Sequence, residues 1–477
     1  MADIDWLVAE VEAGPQGPTV GAFFDFDGTL INGYSALAFF RERIKTRDID
    51  AKELLQTIVE AVNIEQRGHD VARMMQLAVS AQAGKSLDEL NTFGQRIFQT
   101  KIADMVYPDA RVLLEAHHNA GHTIVLASSA TTPQIEAAAQ DLGIEHIICT
   151  ELESADGLFT GLIHGPIRWG EGKAEGVVEF AAEHEIDLDK SYTYSNGAED
   201  IPFLRVSGHP RPLNPDDELE QIAAEEDWPT AYFKMPHRHN PITLTRSVAA
   251  LSGLTLGLGV GLGAALINRD RSMGMSVAAS VGSELALAAA GVRVNVVGEQ
   301  NLWDARPAVF LFNHQSQLDM MLLGRLLRHD FTAVAKKELE RDPIFGPIGF
   351  LANVAYVDRA NPEKAHEALE PAIQALRDGR SIAIAPEGTR SPTPRLLPFK
   401  KGGFVMAMQA GVPVVPIVMR NAGDIMRPHS LVVSSGTVDI AVLPPVSSKK
   451  WTHENLGKQV EKVRNMYLDT FAHWPKD

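Results

Sequence analysis

The stretch Phe23–Leu30, FFDFDGTL, closes an apolar run with two aspartates two residues apart. Residues two apart on a strand share a face. Asp25 and Asp27 can therefore enter one pocket at the strand's C-terminal edge, where open α/β sheets bind ligands. Gly28 and Thr29 turn the chain there. Two close carboxylates can hold Mg²⁺, whose charge offsets their repulsion. One can then attack a phosphoryl group while the other handles protons. An ordinary Asp-x-Asp-Gly turn is the plainer alternative, and three later stretches weigh against it. TIVLASSA (123–130) ends a strand near Ser128, whose hydroxyl and following N–H groups suit a phosphate. WGEGKAEGV (169–177) sets Lys173 after two glycines at a helix start, where it neutralises a transferring phosphoryl. YSNGAED (194–200) supplies a polar loop with Asn196 and Asp200.

Outward from there, 477 residues exceed one ordinary domain. Short β-rich runs alternate with helical patterns over 19–207, which reads as α/β with a parallel sheet. The helical stretch at about 35–103 reads as a cap inserted after the first strand. Residues 208–245, rich in Pro, His and acids, read as a linker. Residues 247–268 hold no charge and 272–292 hold only Glu284. The first of these is long enough to span a bilayer, and its glycines allow close helix contact. A hairpin dipping into one leaflet (246–292) is expected in preference to two full spans, with a buried soluble helix pair as the alternative. Residues 293–477 return to a second α/β pattern.

The net charge of −17 is uneven: residues 1–240 carry 18 Lys+Arg against 40 Asp+Glu, and residues 241–477 carry 26 against 21. An acidic first half argues against nucleic acid. A mildly basic second half beside apolar helices suits an anionic membrane surface. The single Cys149 excludes an internal disulfide framework and fits a reducing compartment. The N-terminus has early acids and no apolar run, so no secretory signal is read there.

In the second half, LFNHQSQLD (311–319) sets His314 and Asp319 five residues apart. On one helix their side chains would diverge. The better geometry puts His314 on a loop and Asp319 in the first helical turn. Ser316…Asp319 is also a capping-box pattern, with Asp319 at the third helical position. As a dyad, the carboxylate fixes the imidazole tautomer and the other nitrogen deprotonates a hydroxyl. AIAPEGTRS (383–391) brings Glu387, Gly388, Thr389 and Arg390 to a strand end, VAYVDR brings Arg359, and FKKGG brings Lys400 and Lys401. Such basic groups suit an anionic phosphate substrate.

The four stretches of residues 19–207, in order, resemble the haloacid dehalogenase superfamily, in its phosphoserine-phosphatase-like branch with a helical cap. That resemblance implies Asp25 as nucleophile forming an aspartyl-phosphate and Asp27 as general acid/base. It implies Ser128 and Lys173 as phosphoryl-binding groups. Mg²⁺ would be held by Asp25, Asp27 through its backbone carbonyl, the 196 position and Asp200. The departure is Asn196, where the family usually has Asp. An amide oxygen ligates Mg²⁺ without charge, so metal affinity should fall.

Residues 290–425 resemble the glycerolipid acyltransferases, closest to those acting on 1-acylglycerol-3-phosphate. The blocks are His314…Asp319, FGPIGFLANVAYVDR (345–359), PEGTRS (386–391) and VPVVPI (412–417). The resemblance implies that His314 deprotonates a lysolipid hydroxyl, that Asp319 orients it, and that Arg359, Glu387, Gly388, Thr389 and Arg390 bind the glycerophosphate end. The donor is acyl-CoA or acyl carrier protein, and the place is the cytoplasmic face of a membrane. Self-association is left open. The expected fold is an N-terminal Rossmann-like α/β domain (1–207) with a helical cap, an apolar hairpin and a C-terminal α/β acyltransferase domain. Two other readings stand beside it: a phosphatase anchored to lipid by the second domain, and an acyltransferase carrying a non-catalytic N-terminal module.

Overall fold

The apolar run before Asp25 becomes β1 (Gly21–Phe24), buried along its whole length at the centre of a six-stranded sheet. The computed structural model describes residues 4–46, 71–234, 241–336, 355–357, 369–428 and 430–475. They form two units, Met1–Pro236 and His237–Asp477.

In the first unit, β2 (Thr123–Thr131), β3 (His146–Ala155), β4 (Leu158–His164), β5 (Tyr192–Ser195) and β6 (His209–Pro212) complete the sheet, in the order β4-β3-β2-β1-β5-β6. All pairings are parallel except β3–β4. The flanking helices include α1 (Asp5–Ala13), α2 (Ser35–Lys45), α3 (Val71–Ser80), α4 (Leu87–Ile97), α5 (Pro108–Asn119), α6 (Thr132–Leu142), α7 (Glu171–Glu183) and α8 (Asp217–Glu225). Two expectations change. The segment read as a linker from 208 onward contributes β6 to the sheet edge and α8 after it. Its prolines hid the strand: Pro210 and Pro212 give no N–H, and an edge strand is where a sheet tolerates that. The cap region α2–α4 is also joined by the β3–β4 hairpin. Gly84 N–H donates to Phe159 O at 2.8 Å, and Gln76 Nε2 to Gly161 O at 3.0 Å. Residues 47–70 of the expected cap lie outside the described residues.

Beneath this sheet lies a buried chain of polar groups whose protons are fixed by elimination. His122 Nε2 is 2.8 Å from the Pro15 carbonyl, so it donates. Its Nδ1 must then accept from His117 Nδ1 at 2.8 Å, and His117 Nε2 accepts from the Tyr194 hydroxyl at 2.8 Å. Both rings are neutral in this arrangement. Burial pushes both histidines below their ordinary value, His117 most strongly and with His122 adding to it. The network ties α5 and the N-terminal segment to β5.

The second unit opens with α9 (Pro241–Asn268) and α10 (Arg271–Ala290), an antiparallel hairpin. Gly253, Gly257 and Gly261 form its seam on α9, and a side chain at Gly257 would strike the Gly282 backbone. Small residues thus buy close packing rather than flexibility. Asp270 caps α10 by accepting from Ser272 N–H at 2.8 Å. The outer face stays apolar, and Leu266 and Ile267 at the tip are 79% and 83% exposed. Both helices are long and apolar enough to cross a membrane.

A seven-stranded sheet follows: β7 (Val292–Val297), β8 (Val309–Phe312), β9 (Phe331–Lys336), β10 (Ala355–Val357), β11 (Ser381–Ile384), β12 (Val414–Arg420) and β13 (Gly436–Val442), in the order β10-β9-β11-β8-β12-β13-β7. Only β12–β13 is antiparallel. Helices α11 (Leu318–Leu327), α12 (Glu370–Arg377), α13 (Gly402–Ala410) and α14 (Leu456–Ala472) cover it.

Candidate functional sites

In the first unit the chain leaves β1 toward β2 on one side and returns as β5 on the other, so a crevice opens at the C-terminal end of β1. Asp25 stands there. Its Oδ1 is 2.8 Å from Lys173 Nζ, and Lys173 Nζ is 2.5 Å from Asp200 Oδ2. Ser195 Oγ donates to the same Asp200 oxygen at 2.6 Å. Thr29 Oγ1 lies 3.0 Å from Asp25 Oδ2 and 3.1 Å from Asn196 Oδ1. Gly28 has φ +84°, and a side chain there would strike the Asn196 amide. Lys173 enters from the first turn of α7.

Burial raises the Asp25 carboxyl, Lys173 opposes, and Asp200 adds to the rise. Burial alone would lower Lys173, but the two carboxylates outweigh it and hold the ammonium charged. Asp27 stays close enough to feel the charges of Asp25 and Lys173. Its carboxylate turns to Ser35, accepting from N–H at 2.6 Å and from Oγ–H at 2.9 Å. Burial pushes Asp27 up to about 7, against the Ser35 N–H. Ser128, buried near the end of β2, accepts from Ala130 N–H at 3.2 Å. Thr29, Ser35 and Ser195 were missed as site residues. Ser35 lies eight residues past Asp27, where no spacing rule points.

Among the described residues no three of His, Cys, Asp and Glu group as a metal site. The donors present nevertheless fit a hard divalent cation: two buried carboxylates face one lysine, and the amide oxygen of Asn196 stands beside them. Asp200 Oδ1 is buried with no hydrogen-bond partner, a cost that an oxygen-seeking cation would remove.

In the second unit β8 and β11 are parallel neighbours, so the loops leaving their C-terminal ends lie side by side. His314 and Glu387 meet there. His314 Nδ1 is 2.8 Å from Asp319 Oδ2, and the same oxygen accepts from Gln315 N–H at 2.8 Å and Ser316 N–H at 2.9 Å. The cap and the dyad are thus one interaction. Helix α11 starts at Leu318 with Gln317 as its N-cap, so Asp319 is the second helical residue rather than the third. Asp319 is 0% exposed, whereas the His314 side chain is 23% exposed. Among the described residues His314 Nε2 has no hydrogen-bond partner.

Glu387, expected to bind substrate, hydrogen-bonds the protein through both oxygens. Oε1 accepts from His314 N–H at 2.8 Å and Oε2 from Leu397 N–H at 2.9 Å. Burial pushes it up to about 7, with those two N–H groups opposing. Gly388 turns the chain at φ +74° against Lys400, and Thr389 is exposed on the same turn. Arg390 is open in part: Nε and Nη1 are buried without hydrogen-bond partners among the described residues, and burial lowers its pKa. Arg359 lies outside the described residues.

Residues 22–205 match the haloacid dehalogenase-like hydrolase family and residues 293–420 the acyltransferase family. A Mycobacterium tuberculosis phosphoserine phosphatase is 30% identical over 53% of this chain and 82% of its own length. A Schizosaccharomyces pombe uncharacterized acyltransferase is 33% identical over 42% of this chain and 70% of its own. A Saccharomyces cerevisiae 1-acyl-sn-glycerol-3-phosphate acyltransferase is 37% identical over 38% of this chain, and the chain spans 60% of that protein's length. The solved 1-acyl-sn-glycerophosphate acyltransferase of Thermotoga maritima is 27% identical, covers 49% of this chain and 97% of its own, and superposes with a TM-score of 0.42. The chain therefore belongs to two families in series, the haloacid dehalogenase-like hydrolases through its first unit and the acyltransferases through its second.

Proposed function

We propose that the second unit transfers an acyl group from a thioester to a lysophospholipid, with 1-acylglycerol-3-phosphate as the acceptor that gives phosphatidate. The carrying observation is the dyad: Asp319 holds the proton on His314 Nδ1, which leaves the Nε2 lone pair without a partner among the described residues on a side chain 23% exposed. Nε2 takes the acceptor's hydroxyl proton, and the oxygen attacks the thioester carbonyl. The C–S bond breaks, and the thiolate leaves with the proton His314 returns. The unpartnered Arg390 suits the acceptor's phosphate. The donor in this reading is acyl-CoA or acyl carrier protein. The α9–α10 hairpin, with its exposed apolar face, seats the unit on the cytoplasmic face of a membrane where both lipids reside.

For the first unit we propose phosphate-ester hydrolysis. Asp25 attacks phosphorus, the ester P–O bond breaks, and Asp27 protonates the departing oxygen. Asp27 then takes a proton from the water that releases phosphate. Lys173 and Ser128 hold phosphoryl oxygens. Asp25, Asp200, Asn196 and the Asp27 carbonyl would hold Mg²⁺, which supplies charge stabilisation at the phosphoryl group.

One assay with lysophosphatidate and acyl-CoA, reading free thiol and phosphate together, tests both halves. Equal thiol release by wild type and His314→Ala would end the acyl-transfer reading. Phosphate release that survives Asp25→Asn would end the aspartyl-phosphate one.

A further inference from the structure

The His314 loop is not held by its own motif alone. Asn313 Nδ2 donates to Met419 O at 2.8 Å and its Oδ1 accepts from Met419 N–H at 2.7 Å. A side-chain amide thus continues the β8–β12 ladder after the main chain has left it. Glu387 holds the His314 N–H from the β11 side. The third support comes from α14, which lies beyond the residues that match the acyltransferase family.

Tyr467 of α14 is fully buried, and its hydroxyl donates to Leu311 O at 2.6 Å, three residues before His314. The Ile417 N–H of β12 faces the phenol oxygen itself, so the phenol sits at the β8–β12 seam. The Tyr467 ring meets Phe399 edge-on at 5.1 Å, on the strap that runs back to Glu387. One turn earlier, Arg464 Nη2 reaches Leu396 O at 3.4 Å, the residue before the Leu397 N–H that Glu387 accepts. The same helix face therefore touches the strand before His314 and the strap that carries Glu387.

We propose that Tyr467 is a positioning residue for His314: its hydroxyl fixes the end of β8, and with it the height of the imidazole over the site. This rests on the acyl-transfer reading. A general base works only within hydrogen-bond reach of its proton, so a small shift of the strand end weakens turnover more than binding. Tyr467→Phe deletes the hydroxyl and keeps the ring.

The test compares Tyr467→Phe with Val463→Ala, a buried residue of the same helix whose truncation weakens the packing of the same core but removes no hydrogen bond to β8. Expected for Tyr467→Phe is a kcat about ten-fold lower, the rate equivalent of about 1.4 kcal/mol, with KM for both substrates within about two-fold. Val463→Ala is expected to keep kcat. Hydrogen exchange over 309–319 should quicken in Tyr467→Phe and not in Val463→Ala. Unchanged exchange there, or equal kcat losses in the two variants, overturns the proposal. The exchange arm holds even if acyl transfer itself fails, a failure read separately from wild type against His314→Ala.

Discussion

Replacing Asp319 by Ala and by Asn separates its two duties. Its Oδ2 receives three N–H groups, one from the His314 ring and two from the buried backbone of Gln315 and Ser316. Alanine leaves both backbone N–H groups buried without an acceptor, at about 1–3 kcal/mol each before relaxation. A local loss of roughly 2–4 kcal/mol is expected. Asparagine can place its amide oxygen where Oδ2 stood and keep all three donors. Its NH₂ then occupies the Oδ1 position, which is buried and has no partner, so a smaller loss of about 1–2 kcal/mol is expected. The Nδ1 tautomer survives in Asn, but the charge that stabilises the protonated ring is gone. Turnover should therefore fall about 10²-fold or more in both variants, while only Ala loosens the loop. Hydrogen exchange over 313–327 and thiol release from acyl-CoA read the two effects separately. An Ala variant with wild-type exchange would refute the claim that Oδ2 holds the loop. An Asn variant with wild-type turnover would refute the electrostatic role.

Further outcomes follow from the same geometry. His314→Ala should abolish thiol release and leave phosphate release intact, and Asp25→Asn should do the converse; loss of both activities in either variant would contradict two independent sites. Asn196→Asp adds a charge beside Thr29 and Asp25, so the Mg²⁺ concentration for half-maximal phosphate release should fall about ten-fold; no change would mean the 196 side chain does not ligate. Both folded-state histidine shifts at His117 and His122 are downward, so their contribution is fully present above the ordinary value of 6.5 and is lost as pH falls below it. The raised Asp25, Asp27 and Glu199 carboxyls act in the opposite sense over this range, so the readout is the difference in pH slope of urea stability between wild type and His122→Gln, up to about 1.4 kcal/mol per pH unit per ring; equal slopes between pH 6.5 and 5 would contradict the buried neutral pair. Gly257→Val forces α9 off Gly282, and co-sedimentation with anionic vesicles should weaken at least as much as with a substitution at exposed Leu256; undiminished binding would exclude the paired hairpin as the anchor.

Much of this protein is legible in its sequence. Alternation of apolar strands with amphipathic helices is a local signal, and it gave two α/β units separated by an apolar hairpin. Asp25, Lys173, Asp200, His314 and Asp319 stood out because chemistry-bearing residues at strand ends and first helical turns are rare and their spacing is short. Local patterning misread 208–245, where Pro and acids outweighed a four-residue edge strand whose pairing comes from β5. It also left β13 unread, although that strand alone joins β7 to the rest of the sheet.

What only the tertiary structure decided is which partner each polar group takes. Asp27 hydrogen-bonds Ser35, whereas Asp25 takes Lys173 and Thr29. Glu387 spends both oxygens on backbone N–H groups 73 residues and 10 residues away, while Arg390 Nε and Nη1 have no partner among the described residues. Tyr467 reaches Leu311 across 156 residues. Periodicity reports which face a residue occupies. Whether a buried donor meets an acceptor depends on segments brought together only by folding, and the desolvation cost of leaving it unmet decides which partners Asp27, Glu387 and Tyr467 take.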